Sequence, residues 1–162
     1  MRRFAMKQKW LSWGDDYTIR DARGSEVYYV DGKVFTLRDR LSFQDMEGNE
    51  LALISKKLLA WGPTYEIYRG GDLAALVRKA VFTLFHCRFT VDVPGPDDLE
   101  ATGSFFDYEY LFSKGDHTVA TVSKKFFSMT DSYGIEMADD QDPILVLAAA
   151  VVIDRCCHEE KD

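Results

Sequence analysis

Near the end of the chain, Cys156-Cys157-His158 have the chemistry of zinc ligands, since thiolate and imidazole both coordinate that metal. Three adjacent residues on one helix cannot converge on one ion, and no second cluster completes a four-ligand set, so no metal is expected. His86-Cys87 comes nearest to a base beside a nucleophile. Neighbours on a strand point to opposite faces and cannot touch, so these residues read as a half-buried histidine and a small core cysteine. Asp97-Asp98 and Asp139-Asp140-Gln141-Asp142 offer oxygen ligands for calcium, but neither has the glycine and distal glutamate of a calcium loop. A solvated turn and the start of a helix account for them. A Gly-rich phosphate loop, a G-x-S-x-G elbow, H-E-x-x-H and paired C-x-x-C are all missing. No enzymatic activity and no cofactor are expected.

The basic residues are the remaining candidates. If Arg3 to Lys9 is a strand, alternation puts Arg3, Ala5, Lys7 and Lys9 on one face and Phe4, Met6 and Gln8 on the other. Lys56, Lys79 and Lys124 stand late in three similar segments. Arg2, Arg3, Lys7, Lys9, Lys56 and Lys57 are therefore the candidate contacts for an anionic ligand such as a phospholipid headgroup, each lysine worth about 1 kcal/mol near an anionic surface. The competing account is that they solubilise strand ends and discourage edge pairing, and the negative overall charge favours it.

The formal net charge is -7 and is unevenly spread. Residues 1–81 carry 14 Lys and Arg against 11 Asp and Glu, while residues 82–162 carry 6 against 16. So acidic a second half argues against nucleic-acid binding, which needs a basic face to neutralise phosphates. The odd cysteine count, Cys87, Cys156 and Cys157, argues for a reduced setting rather than a disulfide framework. Arg2, Arg3, Lys7 and Lys9 interrupt any apolar secretory segment at the start. The long apolar run Ile144 to Ile153 falls well short of the ~20 residues a membrane span requires. A cytoplasmic protein with no membrane span is expected.

The positioning elements follow from a repeat. Leu51 to Lys57 (L-A-L-I-S-K-K), Ala74 to Ala80 (A-A-L-V-R-K-A) and Val119 to Lys125 (V-A-T-V-S-K-K) share one pattern: Ala, any residue, Val or Ile, any residue, Lys. Each follows a polar, Gly-containing turn, and before each turn stands a short apolar or aromatic run: Leu41 to Phe43, Tyr65 to Tyr68 and Tyr108 to Phe112. That order describes β-hairpins. A fourth is expected over Glu26 to Leu37, turning on Asp31-Gly32. Leu73, Leu76, Val77, Ala80 and Val81 also fit helical spacing, but the match to two β-rich copies favours a strand. Tyr65-x-Ile67 matches Tyr133-x-Ile135 at the same 68-residue offset that separates the first and third copies, so the chain reads as two related halves.

A sheet of ten or more short strands exposes two edges, which closure into a barrel removes. At the C-terminus, Asp142 is a good N-cap and Pro143 suits the first helical position. The following Ile144 to Ile153 has no polar face, so a helix here must be buried all round. A central β-strand is the alternative that its Val151-Val152-Ile153 favours.

With the paired Ser55-Lys56-Lys57 and Ser123-Lys124-Lys125, the opening strand Arg3 to Lys9, the Tyr17-Thr-Ile-Arg-Asp21 segment and the closing apolar helix, residues 2–157 resemble the LURP-one-related family. The resemblance implies the tubby C-terminal-like fold, a mainly β, closed antiparallel barrel of about twelve strands around a buried C-terminal hydrophobic helix. It implies a shape more than an activity. A non-catalytic binding or scaffold module for a protein partner is the first functional expectation and anionic-lipid binding the second. Scramblase-like activity is not expected, because the chain lacks a spanning segment and a cysteine-rich cluster near its start.

Overall fold

A computed structural model describes residues 1–9, 16–32, 40–57, 62, 64–80, 88–126 and 132–158, with the backbone alone at 8, 9 and 158. Twelve strands follow one another: β1 (Arg2–Lys9), β2 (Asp16–Asp21), β3 (Glu26–Asp31), β4 (Arg40–Asp45), β5 (Glu50–Lys56), β6 (Thr64–Arg69), β7 (Asp72–Lys79), β8 (Arg88–Asp92), β9 (Leu99–Ser104), β10 (Glu109–Lys114), β11 (His117–Ser123) and β12 (Ser132–Met137). Each pairs antiparallel with its neighbours in sequence, and β1 pairs with β12 to close the barrel. One turn of 3-10 helix (Lys124–Phe126) follows β11, and the helix α1 (Pro143–His158) ends the described chain. Among the described residues no helix is long and apolar enough to cross a membrane.

The expected hairpins are β4–β5, β6–β7 and β10–β11, and the three repeat copies are β5, β7 and β11. The helical spacing around Leu76 gives way to strand because Ala75 and Val77 alternate into the core between paired neighbours. Lys124 and Lys125 leave the strand pattern for the 3-10 turn. The hairpin expected at Asp31-Gly32 forms differently. The partner of β3 is β4, Asp31 pairing with Ser42, and Asp16 Oδ1 accepts the Gly32 N–H at 3.1 Å. The second strand of that expected hairpin, residues 33–37, lies outside the described residues.

Period-two alternation fills the barrel. Phe4 and Met6, Ile54 with Ala52, Phe89 with Val91, and Ile135 with Met137 are buried, while their strand neighbours face out. The helix threads this interior. Every residue from Val146 to Cys157 is at most 9% exposed, and the alanines Ala148, Ala149 and Ala150 are at 0%. Its backbone runs nearest to β5, β6 and β7, where Ala52 and Ala75 keep the wall thin. Burying Val146, Leu147, Val151, Val152 and Ile153 at about 1.5–3 kcal/mol each gives roughly 8–15 kcal/mol, as large as the whole net stability of a typical domain.

The helix start is fixed at several points. Asp142 Oδ1 accepts the Ile144 N–H at 3.1 Å as an N-cap, Pro143 occupies the first turn, and Arg69 pairs with the Asp142 carboxylate. Arg2 Nη2 donates to the Asp139 and Gln141 carbonyls at 3.2 and 2.6 Å, tying β1 to the connection between β12 and α1. One turn is written twice: Asp21-x-x-Gly24-Ser25 and Asp45-x-x-Gly48-Asn49. In each, the aspartate accepts two backbone N–H groups and the glycine has positive φ. Gly103 is a stricter requirement, because a Cβ there would lie 2.6 Å from Tyr110 Cα at φ +138.

Leu147→Ala is expected to lower stability by about 2–5 kcal/mol through the cavity it leaves. Ala149→Leu is expected to cost about 1–3 kcal/mol by overpacking. Denaturant midpoints at unchanged slope measure both, and near-wild-type midpoints for both would show that the lumen is not close-packed around the helix.

Candidate functional site

In an antiparallel meander all odd-numbered strands end on one side. That side, the mouth, receives the ends of β1, β5, β7 and β11 and the C-terminus of α1; the opposite side, the floor, receives the start of β1 and the connection into α1. The six candidate anion contacts are therefore divided. Lys7, Lys9, Lys56 and Lys57 belong to the mouth half, whereas Arg2 and Arg3 start β1 at the floor. Arg2 is engaged with the two carbonyls above. Arg3 pairs with Glu136 and lies 5.2 Å from the Phe126 ring centroid. Lys7 and Lys57 are exposed, and the Lys9 side chain lies outside the described residues.

Lys56 and Lys79 share the inward parity of Ile54 and Val77 and are partly buried at the mouth. Lys124 there sits over the Tyr108 ring at 4.9 Å. These cations complement the negative end of the α1 dipole, which points the same way. The floor turns carry Asp45, Asp97, Asp116, Asp139 and Asp140, so charge is polarised along the barrel axis.

Beneath the mouth lies a buried carboxylate. Tyr17 donates its hydroxyl to Asp154 Oδ2 at 2.6 Å, and Tyr108 also hydrogen-bonds Asp154. The Tyr108 ring stacks on Tyr133 at 4.6 Å, and Tyr108 holds a left-handed backbone conformation (φ 54) at the tip of the β9–β10 connection. Burial, and then the Asp154 charge, push the Tyr108, Tyr110 and Tyr133 phenols up. They remain neutral donors, which lets them hold an anion but not carry protons near neutrality. Sequence reading missed this cluster, because the tyrosines come from β2, β10, β12 and one connection, and only closure gathers them around the helix. The His86-Cys87 pair lies outside the described residues. Among those described, no group of three His, Cys, Asp or Glu could hold a metal.

The outer wall carries a groove of about 660 Å³ across β4, β5 and β6. Arg40, Ser55 and Glu66 lie in one cross-strand row and Ser42, Leu53 and Tyr68 in the next. Lys56 and Lys57 stand at its mouth end, and Glu50 and Gly70-Gly71 at its floor end. Tyr68 donates to the Glu66 carboxylate, which pushes the Tyr68 phenol up, and Ser42 Oγ donates to Glu50 Oε2 at 2.7 Å. Of these groove residues, only Lys56 and Lys57 were among the candidates. Arg40, Leu53 and Tyr68 carry no motif and are brought together by strand register alone.

Residues 2–154 match the family model described as LURP-one-related. The chain belongs to the LURP-one-related family. It is 32% identical over 157 residues to the uncharacterized protein YxjI of Bacillus subtilis (strain 168), covering 97% of this chain and 94% of that one. Among solved structures it is similar to an Arabidopsis thaliana protein, with a TM-score of 0.68 and 17% identity over 99% of this chain and 92% of that one. The latter likeness shows the shared fold. In this LURP-one-related chain the 68-residue match seen in sequence has the same strand register in both places, β5–β6 answering to β11–β12.

Because the fold holds Tyr108, Tyr110 and Tyr133 above their ordinary value of 10.0, they keep protons that the unfolded chain loses. Their contribution to stability is full below pH 10.0 and is lost as pH rises through the folded values. Phenolate absorbance of these tyrosines is thus expected to appear only together with unfolding, and ionisation of all three in an intact barrel would overturn the assignment. Tyr17→Phe is expected to cost about 1.5–3 kcal/mol in the same denaturation assay, as removal of a donor to a buried carboxylate.

Proposed function

We propose that this protein is a non-catalytic binding module that meets its partner on the outside of the barrel. One observation carries this reading: α1 occupies the lumen along its length, Val146 to Cys157 being buried. In an open barrel of this kind the interior is where a ligand would sit; here it is packed with aliphatic side chains, and recognition is left to the outer wall and the mouth. Hydrogen exchange with the native partner bound tests it. Amides of β4–β6 or of the mouth are expected to gain protection while Ala148 to Val152 of α1 keep theirs. A partner that strips protection from α1 would mean that the lumen opens, and the reading would fail.

A second reading rests on the axial charge polarity. Lys7, Lys57, Lys124 and Lys125 are exposed toward the mouth, while acidic turns gather at the floor, an arrangement suited to an anionic phospholipid surface. Co-sedimentation with vesicles separates the two readings. Under the lipid reading, binding requires anionic lipid, fades with salt, and falls roughly 100-fold when Lys7, Lys57 and Lys124 are all changed to Glu. Equal binding to vesicles of neutral phosphatidylcholine, or none to either, rules this second reading out.

A further inference from the structure

We infer that the outer wall of β5, β6 and β7 is a self-association surface, on which a second copy of this chain docks side by side and antiparallel about a two-fold axis through Tyr68. This names one partner of the outer wall and rests on the reading of that wall as the working face. Strand register builds the patch. Tyr68 pairs with Leu53 on one side and with Leu73 on the other, so the three stand in one row. Leu76 lies one row toward the mouth, paired with Glu66, and Leu51 and Glu50 lie one row toward the floor, where Glu50 pairs with Gln44. Leu53, Tyr68 and Leu76 are half-buried, and Leu73 is 43% exposed. An apolar centre inside a charged rim is the usual anatomy of a protein–protein interface, and tyrosine is among the residues that carry most of its energy.

The patch is complementary to itself. A two-fold axis normal to the wall at Tyr68 exchanges β5 with β7 and the mouth direction with the floor direction, and each contact it creates is made twice. Leu73 of one copy then meets Leu53 of the other. Leu73 stands exposed beside the groove that Leu53 lines, a knob against a hole. Leu76 meets Leu51, and the two Tyr68 rings meet on the axis. Arg78, further toward the mouth on β7, comes within side-chain reach of Glu50. Arg78 also pairs with Asp92, and Glu50 accepts the Ser42 hydroxyl at 2.7 Å, yet both residues are exposed. Glu66 comes over Gly70, where nothing lies within 4 Å of the Cβ position, so no carboxylate faces its own copy. Beyond the patch, the basic mouth of each barrel lies beside the acidic floor of the other, whereas a parallel arrangement would set like charges together. Opposite charges and matched apolar residues at positions exchanged by a single axis are what a second copy requires and an unrelated partner does not. Three strands about 4.8 Å apart and three rows about 6.6 Å apart give roughly a few hundred Å², well under the ~800 Å² per partner of a standard complex, so the dimer is a weak one.

Sedimentation velocity of the full chain over roughly 1 μM to 1 mM tests the dimer, which is expected to form reversibly with a dissociation constant of roughly 10–100 μM. Glu50→Arg and Arg78→Glu are each expected to weaken self-association about 10-fold, because either change alone sets like charges together at both contacts. Mixed with each other, the two variants are expected to associate as tightly as the unaltered chain, since every exchanged position then meets the opposite charge. Leu73→Glu, at an exposed position, is expected to weaken the dimer at least about 10-fold with its thermal midpoint unchanged, and keeps the test open should a charge variant unfold. A chain that stays monomeric throughout overturns the inference. So does a mixture no tighter than its components, or a dimer that none of the three substitutions weakens. Those outcomes leave the binding-module reading standing, because protection of the outer wall by the native partner is a separate measurement. Loss of α1 protection with the native partner, alongside a restored mixture, overturns that reading and keeps the dimer.

Discussion

The barrel and its helix exist only for each other. A twelve-strand closed sheet leaves a lumen that side chains from the wall alone do not fill, and a helix apolar on every side has nowhere in water to go. Inserting Val146 to Ile153 solves both problems at once. The remaining contacts position the insertion rather than drive it: Asp142 caps the start, Arg2 and Arg69 hold the approach at the floor, and Asp154 receives Tyr17 at the far end. A carboxylate just beyond the apolar run of the helix fixes depth and rotation, because its hydrogen bonds with Tyr17 and Tyr108 are met only when it sits below the mouth.

Antiparallel connectivity turns position along a strand into position along the barrel axis. Lysines that end β5 and β7 and follow β11 therefore collect at the mouth, and the acidic turns between even and odd strands collect at the floor. The mouth lysines face the negative end of the helix dipole, so part of their role is to balance charge within the fold. Lys7 and Lys57 stay exposed.

The matching strand pairs β5–β6 and β11–β12 are alike inside and different outside. The inward residues recur between halves, as Ile54 and Val122 or Ile67 and Ile135 do, since both halves enclose the same helix. The outward residues differ, Tyr68 against Glu136 and Leu53 against Thr121. Packing constrains the inward face of each strand more than the outward one.

The sequence by itself determined the hairpins of the repeat and the buried helix, because alternation, turn chemistry and an all-apolar run are local signals read within a few residues; β8 and β9 carry no such signal. It put a hairpin at Asp31-Gly32, whereas the partner of β3 on that side is β4, further along the chain. It grouped Arg2 and Arg3 with Lys7 and Lys57 by type, whereas closure sets them toward opposite ends of the barrel. Only the tertiary structure brought Arg40, Leu53 and Tyr68 onto one wall and four tyrosines toward Asp154. Closure is set by the packing of the whole core around the helix, and no local pattern encodes that β1 will pair with β12.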